Sequence, residues 1–269
     1  MKENLEDWIG NTVVREDAVS PRIVSEYRAT MDPYLFKPTD AAHAPPGLHW
    51  CLAVAEPLMS ELGPDGAEAK GAFLPPVPLP RRMWAGGQIE TFHPLIVGAK
   101  VIRTSKVSDV KLREGKAGPL CFVSVTHEIE CGGRLALRER HDLVFKEAGK
   151  AQPPSPRPLP QGDLVWRVEA SPVLLFRFSA ITFNGHRIHY DLRHATETEG
   201  LTGLLVHGPL QAAFLLNQIS ALRGSVPDVF SYRCTAPLIA GRAFHVASTR
   251  GGGVIADGDG VTTIAAQAP

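Results

Sequence analysis

At 269 residues the chain is long enough for one large domain or two of ordinary size, and a content of 44% hydrophobic and 21% charged residues is that of a globular protein that buries a core. Lys+Arg and Asp+Glu each number 28, so there is no basic surplus of the kind that nucleic acid or an anionic membrane surface selects. The opening MKENLEDWIG has no apolar core, so no secretory leader is expected. The most apolar window, residues 204–222, carries His207, Gln211, Asn217 and Gln218, which suits a buried helix better than a membrane span. Cys51, Cys121, Cys131 and Cys234 are widely spaced with no CxxC, as expected for reduced thiols of a cytoplasmic protein without a zinc site.

In chain order, the opening thirty residues read as strand-poor with one helix. Ser20 is its N-cap and Pro21 its first residue, with Ile23, Tyr27 and Thr30 along one face. Residues 31–80 are proline-rich and loop-like, with a short helix over Leu52–Leu62 and a polyproline-like strap in PPVPLPRRM. Strands follow at Gln88–Phe92, Lys100–Val110, Leu120–Cys131 and Arg134–Phe145, with turns at Gly98, Gly115–Gly118 and Gly132-Gly133. In Leu120–Glu130, Phe122, Ser124, Thr126, Glu128 and Glu130 share one face, and Cys121, Val123, Val125 and Ile129 share the other. That period of two marks an antiparallel sheet with one face covered.

Residues 147–162, rich in Pro, Gly and Ser, read as a linker between residues 1–146 and residues 163–269. The plan then repeats: a strand at Asp163–Val168, a long helix from Gly208 to Leu222 ending at Gly224, and strands at Phe230–Pro237, Ala243–Thr249, Val254–Asp257 and Val261–Ala266. No residue-level repeat links the halves. The helix is apolar nearly all round, so it must be wrapped by a sheet. The expected class is α+β, with each half a helix and a run of antiparallel strands.

The chemistry concentrates in residues 178–222, where His186, His189, His194 and His207 precede and enter that helix. TFNGHRIHYDLRHA, residues 182–195, resembles the MaoC-like hydratase/dehydratase family, whose hot-dog enzymes add or remove water across the α,β-bond of an acyl thioester. Asn184, His186, Arg187, Ile188, His189 and Ala195 stand at the motif positions of that family, and LLVHGPL matches its His-Gly at the start of the central helix. Asn184 occupies the place of the usual catalytic Asp, and His186-Arg187 that of Asn-Pro. This version is similar to the 3-hydroxyacyl-thioester dehydratase 2 subgroup, which includes mesaconyl-C4-CoA hydratases. WIG, HW at 49–50, FLPPVPLPRRMWAGG at 73–87 and GPLCFVSV at 118–125 extend the resemblance along nearly the whole chain.

The resemblance implies a double hot-dog fold, with a degenerate N-terminal half at 1–146 and a catalytic C-terminal half at 163–269. It also implies a homo-oligomer, an acyl-CoA substrate with a short, branched, carboxylated acyl group, and no cofactor beyond the coenzyme A of that substrate. Histidine suits proton transfer at neutral pH, so His189 is the expected general base or acid. Asn184 orients water or an imidazole, and Asp191 is a second proton carrier if its side chain points inward. Backbone N–H groups at Gly208 meet the thioester oxygen at the positive end of the helix dipole.

Other residues carry two readings each. His186 and His207 are catalytic or structural. His194 is a surface residue or supports the site. Arg81 and Arg82 bind coenzyme A phosphates or form salt bridges. Trp84 is core or an adenine platform, and Arg187 binds a substrate carboxylate or a strand carbonyl. A metal site is not expected. The competing functions are a fatty-acyl dehydratase, a hot-dog thioesterase, and a non-catalytic acyl-CoA-binding protein.

Overall fold

The computed structural model describes residues 4–115, 118–147 and 155–269. Residues 148–154 of the expected linker and residues 116–117 at a turn lie outside the described residues. The strands are β1 Thr12–Ala18, β2 Arg81–Thr91, β3 Lys100–Gly115, β4 Gly118–Cys131, β5 Arg134–Lys146, β6 Leu164–Glu169, β7 Val229–Cys234, β8 Ala243–Thr249, β9 Gly252–Ala256 and β10 Thr262–Gln267. They form one ten-stranded sheet in the order β1-β3-β4-β5-β2-β7-β10-β9-β8-β6. Strands from the first half of the chain thus fill one end, and those from the second half fill the other.

The seam is β2 against β7, paired antiparallel from Gly86↔Arg233 to Glu90↔Val229. It is built on a glycine pair, because side chains there would strike the neighbouring backbones. A Cβ on Gly86 would lie 2.4 Å from the Tyr232 carbonyl oxygen, and one on Gly87 would lie 2.2 Å from that of Arg140.

Three α-helices complete the described fold: α1 Pro21–Met31, α2 Pro172–Ile181 and α3 Gly208–Arg223. Helix α3 is the core. Every residue from 210 to 220 is buried, and the helix ends at Gly224 in the left-handed conformation. Each buried Leu, Ile or Phe on it contributes roughly 1.5–3 kcal/mol of transfer free energy. Its polar side chains tie it to what surrounds it. The Asn217 amide donates to the Pro46 carbonyl (3.0 Å), Gln218 donates to that of Val246 (3.0 Å), and the Thr263 hydroxyl donates to Gln211 (2.7 Å).

The halves are unequal. Helix α1 has 11 residues and is capped by Ser20 as expected. The outer part of the N-terminal sheet is covered by the 73–79 strap, whose Val77 and Leu79 pack on Val107, Val110, Cys121, Val123, Val125 and Phe145. Among the described residues no helix is long and apolar enough to cross a membrane.

Several elements differ from expectation. β1 was not foreseen because it is an edge strand with mostly exposed side chains and no clean alternation. α2 repeats the Ser-Pro start of α1 with Ser171 as cap, but its run PVLLFRF lacks a polar face and shows no helical period. The expected helix over Leu52–Leu62 is absent. Ala53 takes φ +47° and Pro57 interrupts the run, leaving only 3-10 turns at Leu48–Cys51 and Met59–Glu61. Strand β2 begins at Arg81 rather than Gln88, because its pairing with β5 runs from Arg81↔Lys146. That places Arg81, Arg82 and Trp84 on the sheet.

Candidate active site

The expected motif follows α2. Phe183 turns the chain at φ +49°, and the Asn184 N–H donates to the Ser179 carbonyl (2.8 Å). Asn184 Oδ1 accepts from the His186 N–H (3.0 Å), which pins the turn and leaves the side-chain amide NH2 as a donor. A 3-10 turn over Arg187–His189 follows, then a π-helical turn over His194–Thr198, and the chain returns through Leu205 to α3.

His189 is buried, and its Nδ1 lies 2.7 Å from the Leu205 carbonyl oxygen. A carbonyl only accepts, so Nδ1 carries the proton and Nε2 keeps its lone pair. The ring stacks on His207 at 3.6 Å between centroids and 17° between planes, and His186 stands edge-on at 5.6 Å. His207 Nε2 is 2.8 Å from the Ser179 hydroxyl. Burial pushes the His189 pKa down to about 4, against a partial offset from the Leu205 carbonyl. Burial, with His189 and Arg82 adding, lowers His186 to about 2. Burial again, then His189 and His186, holds His207 well below the ordinary range. All three rings are therefore neutral at pH 7, and His189 presents a fixed basic nitrogen.

His207 is also the N-cap residue of α3. The first N–H groups of a helix have no partner within it, and Pro209 has no N–H, so Gly208 and Leu210 bear the backbone donors that no carbonyl of the helix accepts, at the positive end of the dipole. Glycine at 208 makes room for Trp84. A Cβ there would lie 2.7 Å from the indole Cε3. Trp84 is held in turn by Trp50, Tyr232 and His141, with ring centroids at 6.0, 5.5 and 4.9 Å, and its Nε1–H donates to Gly86 (2.9 Å). The indole is thus a packing wall within the fold rather than an open platform for adenine.

A loop from the first half closes on the motif. The Arg187 N–H donates to the Asp65 carbonyl (2.8 Å), its guanidinium donates to that of Pro64 (3.0 Å), and Gly66 lies against the Gly185 carbonyl. The Asp65 carboxylate is 3.8 Å from His186 Nε2 and 4.0 Å from Arg82 Nη2. Nothing local in PDG announced this contact, since Pro-Asp-Gly reads only as a turn.

Other expectations are redirected. Asp191 does not point inward. Its carboxylate accepts from the His194 N–H (3.0 Å) and from the Arg187 guanidinium (2.8 and 3.0 Å), which hold its pKa below the usual range. Arg187 is thereby engaged on the outside of the turn. Arg81 pairs with Glu199 at 3.4 Å and also donates to its backbone carbonyl. His194 is buried, with Nε2 3.9 Å from the Glu199 carboxylate, so it is no surface residue. Among the described residues no group of three or more His, Cys, Asp or Glu side chains is placed to hold a metal ion.

A second polar cluster escaped sequence reasoning. Glu139, fully buried on β5, accepts from Trp50 Nε1–H (2.8 Å) and the Tyr232 hydroxyl (3.2 Å), and lies 2.6 Å from His141 Nε2 and 3.4 Å from His49 Nε2. His127 bridges His141 (3.1 Å) and Ser105 (2.7 Å), and Arg103 donates to its Nδ1 (3.3 Å). This network backs Trp84. Along the chain the signal that could have found it is His127, which the period of two places with Cys121, Val123, Val125 and Ile129 on the buried face of β4.

Comparison with known proteins identifies the family and the fold. The family model for hydroxyacyl-thioester dehydratase type 2 matches residues 47–240. Mesaconyl-C(4)-CoA hydratase of Chloroflexus aurantiacus is 41% identical over 236 residues, covering 86% of this chain and 84% of that protein. The mitochondrial hydroxyacyl-thioester dehydratase type 2 of Schizosaccharomyces pombe is 21% identical, covering 91% and 92%. Among solved structures, HtdX of Mycobacterium tuberculosis superposes with a TM-score of 0.65 at 20% identity, covering 95% of this chain and 98% of its own. A second protein of that organism, described as a double hot-dog fold, gives 0.57 at 13% identity, covering 96% and 94%. The chain belongs to the hydroxyacyl-thioester dehydratase type 2 family: it has the double hot-dog fold and is a hydro-lyase that adds or removes water across the α,β-bond of an acyl thioester.

Proposed function

We propose that this chain hydrates mesaconyl-C4-CoA to citramalyl-CoA. His189 Nε2 takes a proton from water, the hydroxyl bonds to the β-carbon, and the electron pair of the double bond moves toward the thioester carbonyl. The Gly208 N–H, at the start of α3, meets the developing enolate oxygen. The Asn184 amide NH2 orients the water. His189 then returns its proton to the α-carbon, so one imidazole serves both transfers and atoms balance without a further acid. The observation that carries this reading is the Nδ1–H bond of His189 to Leu205, which fixes the basic nitrogen beside the open end of the helix dipole. The 41% identity to a hydratase of this substrate supports the acyl group.

The reading extends to the whole molecule. The second half, residues 163–269, bears the catalytic motif, and the first half, residues 1–146, is the degenerate unit, joined through 147–162. The chain acts in the cytoplasm as a homo-oligomer, and needs no cofactor apart from the coenzyme A of its substrate. The test offers purified protein crotonyl-, mesaconyl-C4- and long-chain enoyl-CoA and follows the enoyl-thioester absorbance. Loss of the band with mesaconyl-C4-CoA and not with the long chain is expected. Release of free thiol with the band intact would mean a thioesterase, and binding without turnover would mean a scaffold.

A further inference from the structure

The site holds three arginines at its edge, and two of them are engaged. Arg187 forks onto Asp191, and Arg81 is bound to Glu199. Arg82 differs. Its side chain is 19% exposed, its nearest carboxylate oxygen is 4.0 Å away on Asp65, and among the described residues its guanidinium makes no hydrogen bond. A guanidinium has five donors, and a largely buried one with its fork open is built to receive a planar anion.

Its position fits the reacting end of a substrate. Arg82 lies on β2 two residues before Trp84, on the same face of the strand, and Trp84 packs on Gly208 at the head of α3. Asp65 Oδ2 stands between Arg82 Nη2 and His186 Nε2, at 4.0 and 3.8 Å, and His186 stands edge-on to His189. The charged groups around Arg82 are Asp65, Glu68 and Lys70. Lys70 is turned away, donating to the Val77 and Leu79 carbonyls (3.2 and 2.5 Å). Asp65 offsets part of the charge, but from beyond hydrogen-bond distance, so the donors stay available.

We propose that Arg82 is the specificity-determining residue of this site, receiving a carboxylate borne on the β-carbon of the acyl group. This rests on the hydratase reading above. In that substrate the carboxylate sits on the carbon that water attacks, so an arginine beside His186, whose ring stands edge-on to His189, would hold that carbon in place. Asp65, in the loop supplied by the first half, tunes the subsite by competing for the same fork.

The test compares mesaconyl-C4-CoA with 3-methylcrotonyl-CoA, which carries a methyl where the former has its carboxylate. Arg82→Gln is expected to cut the preference for the carboxylated thioester, read as the ratio of kcat/KM values, by roughly 10- to 100-fold, the worth of a hydrogen-bonded charged contact. Arg82→Lys keeps charge without the fork and should retain part of the preference, while Asp65→Asn should raise it. An unchanged ratio in Arg82→Gln, whether both rates fall together or neither does, overturns the proposal. So does an equal loss of affinity for free coenzyme A, which would make Arg82 a phosphate contact. If the wild-type protein turns over neither thioester, the hydratase reading fails by itself. The ratio of calorimetric affinities for the two thioesters then still decides for or against Arg82.

Discussion

Removing the Glu139 carboxylate tests the buried network behind Trp84. In Glu139→Ala the Trp50 and Tyr232 donors lose their acceptor and Arg103 loses its nearby counter-charge, all with solvent excluded. Breaking a buried charged partnership by deleting one member costs roughly 3–5 kcal/mol. At about 2–4 °C per kcal/mol for chains near this size, the melting temperature should fall by about 6–20 °C. Glu139→Gln keeps an acceptor for both donors, so roughly 1 kcal/mol per restored bond should return. The effect is also pH-dependent. Burial alone would raise the Glu139 pKa, but His141 and His49 hold it well below the usual carboxylate range. Its folded value is therefore depressed, so its stabilisation is present above the unfolded value of about 4.3 and is lost as pH falls below that. Urea and thermal unfolding of both variants at pH 7 and near pH 4 measure this. An Ala variant within about 1 kcal/mol of wild type at pH 7 would refute the assignment of a stabilising network.

Three further outcomes follow from the site. His189→Ala should lower kcat by roughly 100- to 10,000-fold with a small change in KM, checked by the enoyl-band assay. The kcat/KM of the wild type should be flat from neutral pH downward and fall as pH drops through about 4, where His189 Nε2 takes a proton. A buried neutral histidine also destabilises the fold progressively from its unfolded value near 6.5 down toward 4, so the profile needs a control for recovery after return to pH 7. Gly208→Ala puts a Cβ 2.7 Å from Trp84 and should cost roughly 1–3 kcal/mol of stability while displacing the oxyanion donor, seen as a lower kcat at unchanged free coenzyme A affinity.

Local chemistry alone decided a good part of this molecule. Ser20-Pro21 starts α1, Gly132-Gly133 turns β4 into β5 with φ of +59° and +79°, and Gly208 and Gly224 bound α3, because capping and turn preferences act within a few residues. The period of two in β4 foretold its buried face, and the motif at 184–189 marked His189, a buried imidazole bonded to the Leu205 carbonyl. What depended on tertiary structure has no such period. His189 owes its tautomer to a carbonyl at 205, its stack to 207 and its surroundings to a loop at 64–66. Glu139, read along the chain, is a strand charge among charges, and only the closing of β5, β2 and β7 around Trp50 and Trp84 makes it a buried anchor. Asp191 and Arg187 were drawn to each other by an i,i+4 spacing and face away from His189, while Arg82 lies on the sheet near Asp65 because β2 begins earlier than its sequence suggests. Spacing along a chain encodes which residues share a face, but a side chain's partners are chosen by the elements that pack across from it, and those are brought near only by the whole fold.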